Sequence, residues 1–344
     1  MSPFQYVTAS SPDEAVSLIG QNGRYLGGGT DLLGEMKDYI ISPDVLVNVK
    51  AVVLPGSVHF VPASPTITAP DLQLNLNSPS NSQEPPEPIR IASFCTLSDL
   101  AADERVKKFL PGVSEAASEV GSPQIRNEGT LAGNLLQHSR CWYYRQPDIV
   151  CLKRGGDMCH AHNGENKYHS LFTGCPCVSP VVSNLSVILT ALEATADIKR
   201  AGKTPTMTMS ELYHEAWKNP AVHNSLDPQD FLVNVTVPLK RTHSAYRQVS
   251  EKSEFDWALV SCAAAGNVTN GTITNARVAL GAVAPVPYMV EAAHHYLEGK
   301  LLTDETASKA ADIILKEAKP LAHNGYKVPL AHALIRRTLL ALNP

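Results

Sequence analysis

Five of the seven cysteines in this 344-residue chain fall within 37 consecutive positions: Cys141, Cys151, Cys159, Cys175 and Cys177. Thiolates are soft ligands that suit zinc and iron–sulfur clusters. The intervals between them are nine, seven, and then fifteen or seventeen residues. They match neither the compact C-x2-C-x2-C run of ferredoxins nor the paired C-x2-C knuckles of a zinc ribbon. Four thiolates distributed around a loop can reach the four corners of a [4Fe–4S] cube, which leaves one cysteine spare. On spacing alone, zinc is the competing reading. A disulfide framework fits poorly, because the count is odd and "MSPFQYVTASSPDEAV" has no basic segment leading into an apolar one. Cys95 and Cys262 stand apart and suit buried structural thiols. His160, His162 and His169 share the cysteine-rich stretch and are expected to be surface histidines of a polar loop.

Two glycine-bearing segments could bind a ligand without side-chain chemistry. "LGGGTDLL" puts Gly27, Gly28 and Gly29 between a strand-like and a helix-like run. Inward-turned amides there can cradle phosphate, with Thr30 adding a hydroxyl. No Gly-Lys-Ser/Thr follows, and G-x-G-x-x-G is absent, so neither a Walker loop nor the usual dinucleotide fingerprint applies. "IRNEGTLAGNLL" offers Thr130, Gly133 and Asn134 as a second ligand wall. Each segment alone reads equally as a structural turn; together they favour a dinucleotide held along its pyrophosphate.

The elements that must position these groups read as α+β. "FQYV" is a strand, and "SSPDEAVSLIG" a helix with Ser11 as N-cap, Pro12 at its first position and Glu14 completing a capping box. "RYL", "DVLVNVK" and "IRIASF" are further strands, and "TLSDLAADERVKKFL" reads as one helix ended by Pro111-Gly112. "GVSEAASEVG" and "SNLSVILTALEA" are helices, the latter with Leu185, Leu189 and Leu192 on one face. Strands "TADIKR", "FLVNVTVP", "SAYRQVS", "WALVSCAAAGNV" and "ARVALGAV" follow, then helices "TASKAADIILKEA" and "LAHALIRRTLLAL". Val61 to Pro88, rich in Pro, Ser and Asn, reads as an exposed loop or extended hairpin. The length implies two or three domains. A formal charge of −4 gives no case for nucleic acid, and no apolar run approaches a membrane helix.

Taken together, "YLGGGTDLLGEMK" and "IRNEGTLAGNL" resemble the two FAD-binding signatures of the molybdenum hydroxylase flavoproteins, which include the FAD domain of xanthine dehydrogenase and the medium subunit of carbon monoxide dehydrogenase. The likeness extends through "FQYVTASSPDEAV", "RIASFCTLSDLA", "FLVNVTVP" and the tail "LAHALIRRTLL". It implies a two-part FAD-binding domain over 1–237 (subdomains 1–55 and 56–237) and a C-terminal α+β domain over 238–344. Tyr25, Leu26, Gly27, Gly28, Gly29, Thr30, Asp31 and Leu32 would then wrap the FAD pyrophosphate, where a side chain on Gly28 would intrude. Thr130, Leu131, Gly133 and Asn134 would form the second wall. Val120, Leu232 and Arg247 fall where the family touches the flavin or its tail. Asn184 stands where many relatives have an aspartate that bonds a ribose hydroxyl.

In simple members "TLAGNL" runs almost directly into a helix, whereas here about 40 residues intervene, roughly 139–178, carrying all five clustered cysteines. That segment resembles the [4Fe–4S] insertion of 4-hydroxybenzoyl-CoA reductase and of periplasmic aldehyde oxidoreductases. The resemblance implies Cys141, Cys151, Cys159 and Cys177 as cluster ligands and Cys175 as a bystander. Trp142, Tyr143 and Tyr144 would pack the insertion against the flavin domain, and loss of the cluster would disturb that loop more than the FAD core. The implied function is the FAD and iron–sulfur electron-transfer subunit of a molybdenum-dependent aldehyde oxidoreductase, with no catalytic acid, base or nucleophile. Its partners would be a molybdopterin-containing large subunit, a small subunit with two [2Fe–2S] centres, and an external electron acceptor. A subunit of a related hydroxylase or of a 4-hydroxybenzoyl-CoA reductase-like enzyme, a stand-alone flavin oxidoreductase, and a zinc-bearing non-redox module are the alternatives. The absence of a signal-like start implies a cytoplasmic chain, or a periplasmic one if it is exported bound to a partner.

Overall fold

The computed structural model describes residues 1–52 and 88–343. The Val61–Pro88 stretch, and with it the start of the expected second subdomain, lies outside the described residues except for Pro88. The chain opens with β1 (Gln5–Thr8), α1 (Pro12–Leu18), β2 (Gly23–Leu26), α2 (Leu32–Lys37) and β3 (Val45–Asn48). The three strands form a parallel sheet ordered β1-β3-β2. Ser11 caps α1 by accepting from Glu14 N at 3.2 Å. The return arm of the expected capping box is displaced, because Glu14 Oε2 accepts from Ser10 N at 2.8 Å instead.

The next part contains β4 (Ile89–Ala92), α3 (Leu97–Ala102), α4 (Glu104–Phe109), α5 (Pro111–Ser118), α6 (Pro123–Glu128) and α7 (Leu131–Leu136). Beyond the cysteine-rich segment come α8 (Asn184–Ala191), β5 (Thr195–Lys199), β6 (Thr206–Thr208), α9 (Met209–Lys218) and β7 (Phe231–Val237). The strands pair antiparallel in the order β4-β7-β5-β6. The single helix expected over 96–110 is two. Asp103 leaves helical geometry (φ −61°, ψ 123°), and its carboxylate accepts from Arg105 N and Val106 N to start the second. The Thr130 segment, read as a ligand wall or a structural turn, opens α7 through its own side-chain cap on Gly133 N.

The last part is an antiparallel sheet of β8 (His243–Val249), β9 (Val260–Thr269), β10 (Thr272–Gly281), β11 (Tyr288–Met289) and β12 (Lys300–Leu301), with α10 (Glu291–Leu297), α11 (Asp304–Leu315) and α12 (Lys327–Leu340). Strand β9 reads "VSCAAAG" because both its faces are covered. Ala263 and Ala265 join the core built on α5 and α8, while Cys262 and Ala264 join the core under α11 and α12. Small side chains let helices lie close on each side, so a Cβ on Gly112 of α5 would stand 3.0 Å from Ala245 N. Cys95 and Cys262 are both buried, as their isolation in the sequence suggested.

Candidate flavin cavity and cysteine cluster

The β2–α2 glycine loop and the α6–α7 loop face each other across the protein. Gly28 is required by this approach: a Cβ there would stand 1.9 Å from Glu128 O. The backbone of the second loop therefore already forbids a side chain at Gly28. A Cβ on Gly27 would meet Thr130 Oγ1 at 3.0 Å, and Gly29 adopts φ +70°, which glycine tolerates best. A cavity of about 300 Å³ lies on one side of the paired loops, lined by Tyr25, Gly27–Gly29, Leu32 and Leu232 among others. On the other side a cavity of about 200 Å³ is lined by Val120, Ile125, Asn134, Arg140 and Trp257. Thr30, Asp31, Thr130 and Gly133 border both. The two cavities thus meet at the paired loops, with the residues of both loops in their shared wall.

Most residues expected at the cofactor line one of these two walls. Leu26, Leu131, Asn184 and Arg247 do not. Leu131 is a core residue. Asn184 Nδ2 donates to Gln248 Oε1 at 2.9 Å, and Arg247 is an exposed residue on β8. Asn134 lies at the wall, but its Oδ1 accepts from Ser183 Oγ and Leu185 N, which ties α7 to the start of α8. Arg140, Phe255, Asp256 and Trp257 border the second cavity without having been singled out from the sequence. Arg140 carried a signal, lying six residues past Asn134 in a stretch already marked for chemistry. The other three sit in the β8–β9 connection, where no periodicity points at a site.

Behind the glycine loop lies a charged network. Asp31 Oδ1 takes Nη2 of both Arg140 and Arg145 at 2.8 Å, and its Oδ2 accepts from His138 N at 2.9 Å. Burial opposes the Asp31 charge, but the two guanidiniums prevail and hold its carboxyl below the usual range. Glu35 of α2, 1% exposed, accepts from Tyr144 OH at 3.1 Å and pairs with His138 Nδ1 at 2.9 Å. His138 stacks on His223 at 4.1 Å between ring centroids. Tyr144 thus packs the cysteine segment against the flavin domain as expected. Trp142 and Tyr143 instead stay within the segment: Trp142 Nε1 donates to Glu165 O, and Tyr143 OH accepts from Glu165 N.

Cys141, Cys151, Cys159 and Cys177 line one small cavity of about 10 Å³ with Lys153, Tyr143 and Ser179. Cys175 does not line it, and its Sγ turns away to Ala216 O at 3.7 Å. All seven cysteines are free. Backbone amides converge on the sulfurs: those of Tyr143 and Tyr144 on Cys141, of Ala161 and Val178 on Cys159, and of Ser179 on Cys177. The Cys177 thiol donates to Cys159, which lowers the Cys159 pKa and raises that of Cys177. Burial pushes the Cys141 thiol up to about 11. Lys153, 9% exposed, brings a buried ammonium to the same wall and donates to Val222 O at 2.7 Å. His169 is buried rather than at the surface, with its Nε2 3.2 Å from Cys141 Sγ. Among the described residues, no three His, Cys, Asp or Glu side chains are grouped closely enough to hold a single metal ion. A multi-iron cluster would also require the Cys159–Cys177 contact to open.

The cysteine segment is no peripheral loop. Leu171 N and Phe172 N both donate to Val283 O, and Asn324 Nδ2 donates to His169 O and Ser170 O, each at 3.0 Å. Lys327, fully buried at the start of α12, donates to Tyr168 O at 2.8 Å and to Ala282 O at 2.9 Å. Burial lowers its pKa to about 7. The segment is bound to the glycine loop at one end and to the C-terminal part at the other.

Two family descriptions match successive stretches of the chain. Residues 76–240 match the FAD binding domain in molybdopterin dehydrogenase, and 244–342 match the CO dehydrogenase flavoprotein C-terminal domain. The chain is 31% identical over 350 residues to the aldehyde oxidoreductase FAD-binding subunit PaoB of Escherichia coli (strain K12), covering 99% of this chain and 98% of that one. It is 24% identical over 347 residues to the carbon monoxide dehydrogenase medium chain of Hydrogenophaga pseudoflava, covering 98% and 96%. In fold it is similar to a carbon monoxide dehydrogenase structure from that organism, with a TM-score of 0.71 at 23% identity, covering 99% and 97%. Quinoline 2-oxidoreductase from Pseudomonas putida 86 gives 0.69 at 20%, again covering 99% and 97%. Among the described residues, no helix is long and apolar enough to cross a membrane.

Proposed function

The chain belongs to the FAD-binding subunits of the molybdenum hydroxylases, a family of oxidoreductases, and from that premise we propose that it is the FAD and [4Fe–4S] electron-transfer subunit of an aldehyde oxidoreductase. Within it, 1–237 is the FAD-binding domain, 139–178 the cluster insertion and 238–344 the C-terminal domain. The observation that carries the cluster is the ring of Cys141, Cys151, Cys159 and Cys177 around one cavity, with Cys175 turned away. Backbone N–H groups aimed at sulfur stabilise thiolates and are a principal means by which proteins set cluster potentials. The buried Lys153 ammonium offsets the negative charge of four thiolates in one place.

In the flavin groove, backbone approach rather than side-chain chemistry makes the site. Gly27–Gly29 leave room for the pyrophosphate between Thr30 and Thr130, and Leu232 and Val120 offer apolar contact on either side. Bound FAD supplies two-electron and one-electron transfer in the same molecule. This chain's residues hold it, exclude water from it and fix its distance from the thiols; none needs to act as acid, base or nucleophile. Electrons would arrive from [2Fe–2S] centres of a small partner subunit, after oxidation at a molybdopterin in a large one, and leave to an external acceptor. Similarity to the aldehyde oxidoreductase FAD-binding subunit over nearly both chains supports aldehydes as the substrate of the complex.

The test is turnover by the chain alone. Purified without partners, it should bind FAD yet reduce no dye on adding aldehyde, and regain activity when large and small subunits are supplied. Full aldehyde-dependent dye reduction by the isolated chain would establish a stand-alone flavin enzyme instead.

A further inference from the structure

The four cavity cysteines share one small space, but Cys141 has a neighbour that the other three lack. His169 Nε2 stands 3.2 Å from Cys141 Sγ. Among the described residues, no other side chain except cysteine reaches hydrogen-bond distance of these four sulfurs. His169 does not itself line the cavity, so its ring lies behind the sulfur rather than competing with it for a metal.

The imidazole is held in place from several sides. It is buried, and the rings of Trp142 and Tyr143 lie 5.8 Å and 6.3 Å from it, centroid to centroid. His169 N donates to Asn166 O at 3.0 Å, and its carbonyl accepts from Asn324 Nδ2 at 3.0 Å. Lys327 fixes the preceding carbonyl, that of Tyr168, at 2.8 Å. Anchors from the cysteine segment and from the C-terminal part thus aim one ring nitrogen at one sulfur. A hydrogen bond needs one proton between its two atoms. A metal-bound thiolate carries none, so the proton of this contact must sit on Nε2 when Cys141 is a ligand. We propose that His169 is a positioning residue for the cluster site, donating its Nε2–H to the Cys141 thiolate and favouring the reduced cluster over the oxidised one. The electron gained on reduction adds negative charge to the ligand sulfurs, which strengthens an N–H···S bond. The proposal rests on the four cysteines holding a [4Fe–4S] cluster.

The test uses the full chain with cluster and FAD bound, as His169→Leu and His169→Gln. Leucine removes the donor and keeps an apolar bulk; glutamine offers an amide N–H at a similar reach. Iron, acid-labile sulfide and FAD per chain are measured first. The cluster potential is then read by redox titration followed by electron paramagnetic resonance, which separates the cluster from the flavin. In His169→Leu, with iron unchanged, the reduced cluster should be about tenfold less favoured, a fall of about 59 mV for a one-electron couple. His169→Gln should recover more than half of that fall. An unchanged potential in His169→Leu overturns the proposal. So does an equal fall in both variants, which would make His169 a packing residue. If His169→Leu loses its iron, His169→Gln decides. Iron kept there, with the redox equilibrium within about threefold of wild type, supports the bond, and any other result overturns it. An iron-free wild type would instead strike the cluster reading, and this proposal with it.

Discussion

Asp31 ends the glycine loop and Arg145 lies four residues past the first clustered cysteine, and the two meet at 2.8 Å. This ion pair fastens the proposed flavin loop to the cysteine segment, with Arg140 on the same carboxylate oxygen. Arg145→Gln should therefore weaken FAD binding although Arg145 does not line either flavin cavity. Removing one partner of a partly buried pair leaves the other under-compensated, at a cost of ~1–3 kcal/mol. Isothermal titration with FAD should show about a tenfold loss in affinity, and unchanged affinity would mean that the two regions are energetically separate.

Two glycines close in sequence should behave oppositely. Gly28→Ala places a Cβ 1.9 Å from Glu128 O, which is backbone and cannot turn aside, so the loops must part and FAD retention should be lost. Gly34, inside α2, has nothing within 4 Å of an added Cβ. Gly34→Ala should keep FAD and stabilise the chain by ~0.5–1 kcal/mol through the lower entropy of the unfolded state and better helix propensity. Flavin absorbance per chain and urea midpoints test both.

Lys327 predicts a pH dependence. Its folded pKa, about 7, lies below the ordinary lysine value, so between about pH 7 and 10.5 the unfolded chain binds more protons than the folded one at this site. The contribution of Lys327 to stability therefore rises with pH across that window, and its full penalty is present below it. Wild type should gain stability relative to Lys327→Met as pH moves from 7 to 9, read as the difference between their urea midpoints. A difference that stays constant would show that Lys327 is charged at both pH values.

Much of this arrangement could be read from the residues, and the gaps have identifiable causes. The two glycine-bearing loops and the cysteine crowd announce themselves by residue type. Asn184 and Arg247, carried over by likeness, do not line the proposed flavin cavities: the short Asn184 side chain turns to Gln248, and Arg247 stands exposed on β8. Helix α9 escaped notice although Thr208 and Glu211 form a full capping box, since its apolar face is short and mixed with polar residues. His169 read as a surface histidine because its neighbours are polar; only tertiary packing under Asn324 and Lys327 buries it. Spacing could not separate Cys175 from Cys177, which are two positions apart. The backbone turn between them sends one sulfur to Ala216 and the other to the shared cavity.

The central claim is that four of these cysteines hold one [4Fe–4S] cluster in a chain that also binds FAD. The direct measurement is iron, acid-labile sulfide, zinc and FAD per chain in anaerobically purified wild type, Cys175→Ala and Cys177→Ala. The account predicts equal iron and sulfide in cluster stoichiometry, together with FAD, for wild type and Cys175→Ala. Cys177→Ala should lose most of the iron and sulfide, and also part of the FAD because the segment is tied to the glycine loop through Asp31. Zinc in place of iron in the wild type, or iron kept in Cys177→Ala and lost in Cys175→Ala, would contradict it.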